Sequence, residues 1–307
     1  MLNFTFKQLR YVEAAGRHRS IAAAAAEQNI SQSSITAAID ALESQLGHDL
    51  FVRTPAKGIQ STPSGRETLN LIRSFLDQSK HFEGEIRSVG GRTTGLIRVA
   101  CYATAAPSFL PPILTSLRDT YPGVSVKLLE GHMQAVMDYL NTGEADIAFT
   151  YDRAVDERHE FQPLFAAPPY ALIGRGTPLA GEKSVTLEQL SPLPMILLDL
   201  PMTREYFTSV FQGQSLRPNI VHTARSSEIV RALVASGYGY TILNIRPPNY
   251  SSGEHPFVAV PISSPIPPPL FGIAALDGLR QPKMVQAIVD HCLKLRRQGA
   301  FDQIVVA

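Results

Sequence analysis

Tryptophan is absent from the 307-residue sequence, and cysteine occurs only twice, at Cys101 and Cys292. Two cysteines cannot build a disulfide framework, so we expect a reducing compartment. No apolar run reaches the ~18–20 residues that a membrane helix requires. The N-terminus also lacks an unbroken apolar segment followed by a small-residue cleavage site, which argues against export. These absences predict a cytoplasmic protein without a membrane partner.

An excess of charge of either sign is also missing, since 28 Lys and Arg residues stand against 27 Asp and Glu residues. A balance of this kind excludes attraction of a polyanion by the whole molecule but leaves room for a local basic patch. The sequence has no G-x-x-x-x-G-K-[ST], G-x-S-x-G or G-x-G-x-x-G motif, and its eight histidines have no spacing suited to a metal. We therefore predict no catalytic residue, no metal site and no cofactor.

The pattern of apolar residues divides the chain into two parts. Residues 1–90 have helical periodicity with one turn-rich break at 53–65, whereas residues 91–307 alternate strand-sized apolar runs with amphipathic segments. This alternation predicts an α/β fold with a mainly parallel sheet, joined to the first part through the segment GGRTTG at 90–95. Two proline clusters predict two lobes, one made of 91–165 and 268–307 and the other of 166–267. A single sheet with long surface loops is the alternative.

Residues 20–62 have the pattern of a helix-turn-helix. Ser20 and Ser31 are suitable N-cap residues for two helices, Asn29 begins the turn between them, and Gly47 ends the second helix. The second helix has one apolar stripe made of Ile35, Ile39, Leu42 and Leu46. Any pair of antiparallel helices would share these features, so the helix pattern alone leaves both interpretations open.

The segment after the second helix favours a DNA-binding unit. Residues 51–53 and 59–62 flank a turn and predict a β-hairpin, which behind a helix-turn-helix is a wing. Arg53 and Lys57 in this wing suit phosphate oxygens. The helix start offers short polar side chains that reach base edges, namely Ser31, Gln32, Ser33, Ser34 and Thr36. Further positive charge in this part of the chain comes from Lys7, Arg10, Arg17 and Arg19.

The second helix itself carries no Lys or Arg and has two acidic residues, Asp40 and Glu43. We therefore expect DNA affinity to depend on doubling the sites by dimerisation. Residues 63–90 predict a long amphipathic linker helix whose apolar stripe contains Leu69, Ile72, Leu76, Phe82, Ile86 and Val89. This stripe could pack on its own domain, or it could pair with a second copy and hold two winged domains at a fixed spacing.

The order of these motifs resembles that of the LysR-type transcriptional regulators. The residues that carry the resemblance in the first part are 6–11, Ser20-Ile21, Ala24-Ala25, 30–35, Leu42-Glu43, Leu46-Gly47, 50–53 and 62–65. Those in the second part are Leu110-Pro111, Tyr121-Pro122, Gly143, Asp146-Ile147-Ala148 and Gly237-Tyr238-Gly239. The chain departs from the family at Gln28, where a leucine is usual, and at Ala37 and Ala41, near which basic residues are usual.

The resemblance implies an architecture and a function. It implies a winged helix-turn-helix at 1–62, a dimerising linker helix at 63–90, and a two-lobed domain at 91–307 that is similar to periplasmic binding proteins. A small effector would bind between the lobes and change how a homotetramer, assembled from dimers, holds double-stranded promoter DNA. The DNA-contacting positions of the family match Gln32, Ser33, Ser34, Thr36, Arg53 and Lys57.

Candidate effector contacts follow from the strand ends. In open α/β sheets, ligands bind at the carboxyl ends of strands and beside helix N-termini. The residues at such places are Tyr102, Thr104, Thr150, Tyr151, Thr203, Arg204 and Ser226. Hydroxyls beside free backbone N–H groups favour a small carboxylate, and the tyrosines favour an apolar or aromatic body. Alternatively, Thr104, Thr203 and Ser226 cap their own helices and Arg204 is a surface residue.

Two other functions remain as alternatives at this stage. A small-molecule binding protein of the transport type would use the two lobes but would leave residues 1–90 without a role. An α/β enzyme with an N-terminal interaction domain would need a nucleophile, base or metal motif. Cys101 ends the first strand of the second part and could serve a redox sensor, but a buried strand cysteine is the favoured interpretation.

Overall fold

The computed structural model describes residues 3–54, 58–88, 95–246, 256–277 and 282–306. The chain divides into two compact units, Met1–Gly90 and Gly91–Ala307. Within the described ranges, no helix is both long enough and apolar enough to cross a membrane.

The described residues of the first unit form four helices and a two-stranded hairpin. In chain order these are α1 (Phe6–His18), α2 (Ile21–Gln28), α3 (Gln32–Leu46), β1 (Phe51–Thr54), β2 (Gly58–Ser61) and α4 (Pro63–Ser88). The two strands pair antiparallel, with Phe51 opposite Ser61 and Arg53 opposite Ile59. This arrangement confirms the predicted helix-turn-helix and wing, and it excludes an isolated pair of helices.

The predicted capping residues lie at the ends of α2 and α3. The hydroxyl oxygens of Ser20 and Ser31 accept hydrogen bonds from the backbone N–H groups of Ala23 and Ser34, each at 3.3 Å. Such caps satisfy backbone donors that have no partner inside the helix. Asn29 closes the turn after α2 in the left-handed region at φ 53°, and Gly47 ends α3 in the same region at φ 75°.

The core of this unit lies between the helices and the hairpin. From α3 it contains Ile35, Ile39 and Leu42, each at most 2% exposed, and they pack with Val12 and Leu50. Burying one such aliphatic side chain contributes about 1.5–3 kcal/mol. The fourth residue of the predicted stripe, Leu46, is only partly buried at the edge of this core.

The linker helix α4 corrects part of the prediction. Leu69, Ile72 and Leu76 are buried in the core of their own unit, which is the first of the two roles considered. Phe82, which the prediction placed on the same stripe, is 63% exposed. It stands eleven residues after the 72% exposed Leu71, which is close to three whole helical turns, so these two share a second face. The side chains of Ile86 and Val89 lie outside the described residues.

The second unit begins and ends in one lobe and crosses into another between. Before the first crossing lie β3 (Gly95–Tyr102), α5 (Ala106–Thr120), β4 (Val124–Gly131), α6 (Met133–Asn141), β5 (Ile147–Tyr151), a 3-10 helix (Asp152–Ala154) and β6 (His159–Ala166). The second lobe holds β7 (Tyr170–Gly174), a 3-10 helix (Pro178–Gly181), α7 (Leu187–Leu190), β8 (Pro194–Leu198), α8 (Thr203–Gln212), β9 (Asn219–Ala224), α9 (Ser227–Ala235), β10 (Thr241–Leu243) and β11 (Phe257–Pro261). The chain then returns through β12 (Leu270–Leu276), α10 (Lys283–Arg297) and a 3-10 helix (Asp302–Ile304).

Separate sheets form the two lobes, so the alternative of one sheet with long loops is excluded. The first lobe has a five-stranded sheet in the order β4-β3-β5-β12-β6, in which β12 runs antiparallel to its neighbours. The second lobe has the sheet β10-β7-β11 and the parallel pair β8-β9. The two chain crossings are joined where the N–H of Ala167 donates to the carbonyl of Pro269 at 2.9 Å.

Candidate functional site

The start of α3 presents polar side chains to solvent. Ser31, Gln32, Ser33 and Ser34 are exposed, and Thr36 is half-buried. The Ser31 hydroxyl oxygen lies 2.8 Å from that of Ser33 and 2.9 Å from that of Ser34, and it also caps the helix. The Ser31 side chain is therefore held by hydrogen bonds within its own helix. For the Gln32 side chain, which is exposed in the first turn, the described residues show no such hydrogen bond. This turn is the candidate face for reading DNA.

The wing is tied to α3 by an ion pair. The Arg53 guanidinium donates from Nη2 to Oδ1 of Asp40 at 2.5 Å, and both side chains are about half exposed, at 54% and 55%. An exposed pair of this kind contributes at most about 1 kcal/mol, so a phosphate can displace the carboxylate. Asp40, which counted against DNA binding in the sequence, instead positions the predicted phosphate contact beside α3. Lys57 lies outside the described residues.

Arg17, which the sequence offered as a further positive charge, forms ion pairs within the first unit. The Arg17 guanidinium donates to Glu27 at 2.6 Å and lies 3.3 Å from Glu13, which also contacts Arg73 of α4 at 3.4 Å. The hydrogen bond from Arg17, followed by one from His18, lowers the pKa of Glu27 to about 2. This network joins α1, α2 and α4, so Arg17 contributes to the fold rather than offering a free charge.

A cavity of about 280 Å³ lies in the second unit and takes its lining from both lobes. Tyr102 and Tyr151 end the neighbouring strands β3 and β5, and the carboxyl ends of such strands are where α/β folds bind ligands. The polar lining residues are Tyr102, Thr104, Tyr151, Arg153, Thr203, Glu205, Tyr206, Ser209 and Asn244. The apolar lining includes Ala105, Met133, Leu198, Met202, Phe207, Leu243, Ile245 and Pro269.

Three phenols dominate the polar side of the cavity. The Tyr102 hydroxyl lies 3.1 Å from the Thr203 hydroxyl and so bridges the lobes. Burial raises the pKa of Tyr102 and Tyr206, and it raises that of Tyr151 well above its ordinary value, with Tyr102 adding to the effect. Since an ordinary tyrosine titrates near pH 10, all three stay protonated at neutral pH. They are uncharged hydrogen-bond donors.

Two opposite charges complete the lining. The Arg153 guanidinium lies 5.0 Å from the centre of the Tyr206 ring, a distance that permits a cation–π contact. Glu205, in the first turn of α8, is exposed and acidic. The cavity can therefore bind an anion through Arg153 and neutral hydroxyls, with Glu205 screened by solvent.

The start of α8 has an unusual backbone. Met202 precedes the helix with φ 64°, which is the left-handed region, and the described side chains provide no cap there. A non-glycine residue in this region costs on the order of 1–3 kcal/mol and is typical of ligand-binding segments. Met202 and Thr203 both line the cavity, so an uncapped helix N-terminus lies at its wall.

Comparison with known proteins decides the family. Residues 6–66 match the family model of the bacterial regulatory helix-turn-helix proteins of the lysR family, and residues 90–297 match that of the LysR substrate binding domain. The chain belongs to the LysR family. The matches confirm that it is a LysR-type transcriptional regulator with a DNA-binding and an effector-binding domain, and not an enzyme. The match at 6–66 also gives a role to the residues that a transport-type binding protein would leave unused.

Individual relatives agree with this assignment. The chain is 27% identical over 242 residues to the HTH-type transcriptional regulator SsuR of Burkholderia cenocepacia, covering 78% of each chain. It is 29% identical over 248 residues to the regulator CysB of Haemophilus influenzae, covering 77% of this chain and 74% of the other. The crystal structure of HinK, a LysR family regulator of Pseudomonas aeruginosa, is 31% identical with a TM-score of 0.63, covering 96% and 98%.

The structure brings together four of the predicted effector contacts of this LysR-type regulator, namely Tyr102, Thr104, Tyr151 and Thr203. The helix N-caps beside the two threonines are Ala105 and Met202. Thr104 and Thr203 are therefore not the N-caps of their helices, and both line the cavity, where the Thr203 hydroxyl lies 3.1 Å from that of Tyr102. This outcome removes the alternative role that the sequence left open for these two residues.

The other three predicted contacts are absent from the described lining of the cavity. Thr150 is fully buried, and as the neighbour of Tyr151 along β5 it points to the opposite face of the sheet. Arg204 makes two hydrogen bonds to Asp199, at 2.6 and 2.7 Å. Ser226 caps α9 by accepting from the N–H of Ile229 at 3.5 Å, which is the alternative considered for it.

Sequence reasoning missed several lining residues. Tyr206 follows Thr203 by three residues on α8, so the helical repeat could have placed it on the same face. Arg153 follows the strand end at Tyr151 and could have been included on the same grounds. Asn244 gave no signal, because it follows a short apolar strand and reaches the cavity only through the return of the chain from the second lobe.

Neither cysteine provides a reactive thiol. Cys101 and Cys292 are fully buried and free, and burial raises their pKa values to about 11 and about 12. Their thiols are thus poor nucleophiles, which agrees with the interpretation of Cys101 as a buried strand residue. In the part of the chain that the structure describes, no group of three or more His, Cys, Asp and Glu side chains could hold a metal ion.

Proposed function

We propose that this LysR-type regulator reads a dyad-symmetric promoter site and is switched by a small carboxylate in the cavity between its lobes. The observation that supports a carboxylate effector is that six hydroxyls and Arg153 line one cavity whose remaining lining is mostly apolar. Neutral donors and one cation stabilise a carboxylate without leaving a buried charge unpaired when the cavity is empty. The aromatic rings in the lining suit an apolar or aromatic body.

The two-fold symmetry of the proposed DNA site follows from the proposed homodimer. Leu71, Phe75 and Phe82 lie on one face of α4 and are 72%, 47% and 63% exposed. Phe6 adds to this patch, since its ring centre lies 5.4 Å from that of Phe75. A second copy that covers the patch would hold two α3 helices at a fixed spacing, and a two-fold protein reads a palindromic site. Two dimers would form the tetramer, which acts in the cytoplasm.

The effector role is tested at Thr104. We expect small carboxylates in a thermal-shift screen to include one that raises the melting temperature by mass action. For that compound, Thr104→Val should lower affinity by about tenfold, because one hydrogen bond to an anion is lost, and DNA binding should persist. Thr150→Val is the matched control, since it makes the same change at a residue outside the cavity. Equal affinities in the two variants would remove Thr104 from the site.

The DNA contacts are tested by their pattern of loss. We expect Gln32→Ala and Ser34→Ala to relax the preference for one sequence by about 1–3 kcal/mol per contacted base pair. Arg53→Ala and Lys57→Ala should instead weaken binding to all sequences and reduce its salt dependence. Titrations of specific and scrambled duplexes at several salt concentrations measure both effects. The same loss of specificity in all four variants would contradict this division of roles.

A further inference from the structure

Asn244 is one of the residues that line the cavity, and two hydrogen bonds fix the orientation of its amide. It is 6% exposed, and its Nδ2 donates to the carbonyl oxygen of Ala167 at 2.7 Å and to the hydroxyl oxygen of Tyr206 at 3.1 Å. A backbone carbonyl can only accept, so the atom beside Ala167 must be the nitrogen. Both protons of the amide are then used, and its oxygen is the group left for the cavity.

Tyr206 is the complementary half of this pair. Its hydroxyl oxygen accepts from Asn244, and the described residues provide no acceptor for the hydroxyl proton. Tyr206 is 8% exposed and, like Asn244, it lines the cavity. The Tyr206 hydroxyl is therefore a hydrogen-bond donor next to an acceptor, the Asn244 side-chain oxygen, and both residues are buried. A buried polar group without a hydrogen bond costs about 1–3 kcal/mol.

Only some ligand groups satisfy both atoms at once. A hydroxyl or a carboxamide can accept from Tyr206 and donate to Asn244. A carboxylate can accept from Tyr206, but its second oxygen would face the Asn244 oxygen, and an alkyl group would leave both atoms unsatisfied. The carboxylate of a ligand is better placed at Thr104, Thr203 and Tyr102, where hydroxyl donors are grouped.

We propose that the Tyr206–Asn244 pair determines specificity, and that it selects carboxylates that also bear a hydroxyl or carboxamide group. This inference rests on the carboxylate class proposed above and adds a second functional group to the ligand. Ligands with only a carboxylate would occupy the same cavity but bind more weakly.

The test compares matched acids on the full-length protein by calorimetry. The probes are benzoate, 3-hydroxybenzoate, 4-hydroxybenzoate, 4-carbamoylbenzoate, hexanoate and 6-hydroxyhexanoate. We expect at least one substituted acid to bind about tenfold more tightly than its parent, which corresponds to one net hydrogen bond. The carbamoyl and hydroxyl acids distinguish which of the two groups is preferred.

Two variants connect this preference to the pair. Tyr206→Phe removes only the hydroxyl, and we expect the ratio between the substituted acid and its parent to fall from about tenfold to about one. Asn244→Ser is the second variant and should reduce the same ratio, with the melting temperature showing whether it folds. Tyr240→Phe is the matched control, because the Tyr240 hydroxyl is buried without a described partner and does not line the cavity. It should keep the wild-type ratio.

The outcomes separate this inference from the proposed function. If the parent acids bind and the substituted acids bind no better, the specificity role is overturned and the carboxylate class stands. A tenfold preference that survives in folded Tyr206→Phe also overturns it. If the wild-type protein binds none of the six acids while it still binds DNA, both the carboxylate class and this inference fall.

Discussion

Gly65→Ala is expected to destabilise the winged unit strongly and thereby to weaken DNA binding. Gly65 is buried in the first turn of α4, and a Cβ atom there would lie 2.0 Å from the backbone oxygen of Leu50 and 2.8 Å from its carbonyl carbon. Backbone atoms cannot rotate away as a side chain can. The helix would have to move away from the segment before the wing, which is part of the same core.

Hydrogen bonds oppose that movement. The Thr62 hydroxyl accepts from the N–H of Gly65 at 2.8 Å and donates to the carbonyl of Asp49 at 2.8 Å, and the N–H of Thr62 donates to Leu50 at 3.0 Å. We therefore expect a loss of about 3 kcal/mol or more, at the upper end of overpacking effects. A domain is typically stable by only about 5–15 kcal/mol. Thermal unfolding of the variant and a gel-shift titration measure both consequences.

Two other glycines provide graded controls. In Gly16→Ala the new Cβ would lie 2.7 Å from Cδ1 of Leu69, which is the end of a flexible side chain, so we expect a smaller loss. At Gly176 no heavy atom lies within 4 Å, and Gly176→Ala should melt like the wild type. If Gly65→Ala melts like Gly176→Ala and binds DNA normally, the contact with Leu50 does not constrain the unit.

The fold of the first unit could be predicted because its signals are local. Ser31 caps α3 through a bond to a residue three positions away, and the stripe of Ile35, Ile39 and Leu42 repeats with the helical period. The same reasoning failed at Phe82, because a long helix with apolar residues on two faces does not reveal which face is covered. Leu69 and Leu71 are both leucines two positions apart, yet one is buried and the other is exposed.

The cavity was only partly predictable because it is assembled from distant segments. Strand ends located Tyr102 and Tyr151, but the alternation of side chains along β5 excluded Thr150, a difference that requires knowing which face is the cavity face. Asn244 reaches the site from a segment more than 70 residues from Ala167, which it contacts. Such a contact depends on how the lobes close, and no local pattern encodes it.

Leu71→Asp is expected to separate the proposed dimer and to weaken DNA binding by roughly 10²-fold or more. Leu71 is 72% exposed at the start of the apolar face that includes Phe75 and Phe82. In the proposed interface a carboxylate at position 71 would lose its water without gaining a partner, and this cost opposes the pairing of the two helices. In a dimer, binding of one winged domain to a two-fold symmetric DNA site holds the second domain close to its half-site, which raises the overall affinity. Loss of the pairing removes this gain.

The matched control for this change is Asn70→Asp, which adds the same side chain one residue earlier. Asn70 is exposed and lies about 100° around the helix from Leu71, off the apolar face. Sedimentation analysis should show a smaller species for Leu71→Asp only, while the melting temperature of its winged unit stays close to that of the wild type because Leu71 is outside the core. A Leu71→Asp protein that keeps the wild-type mass and affinity would mean that another surface joins the copies, and that the exposed face of α4 does not set the spacing of the two α3 helices.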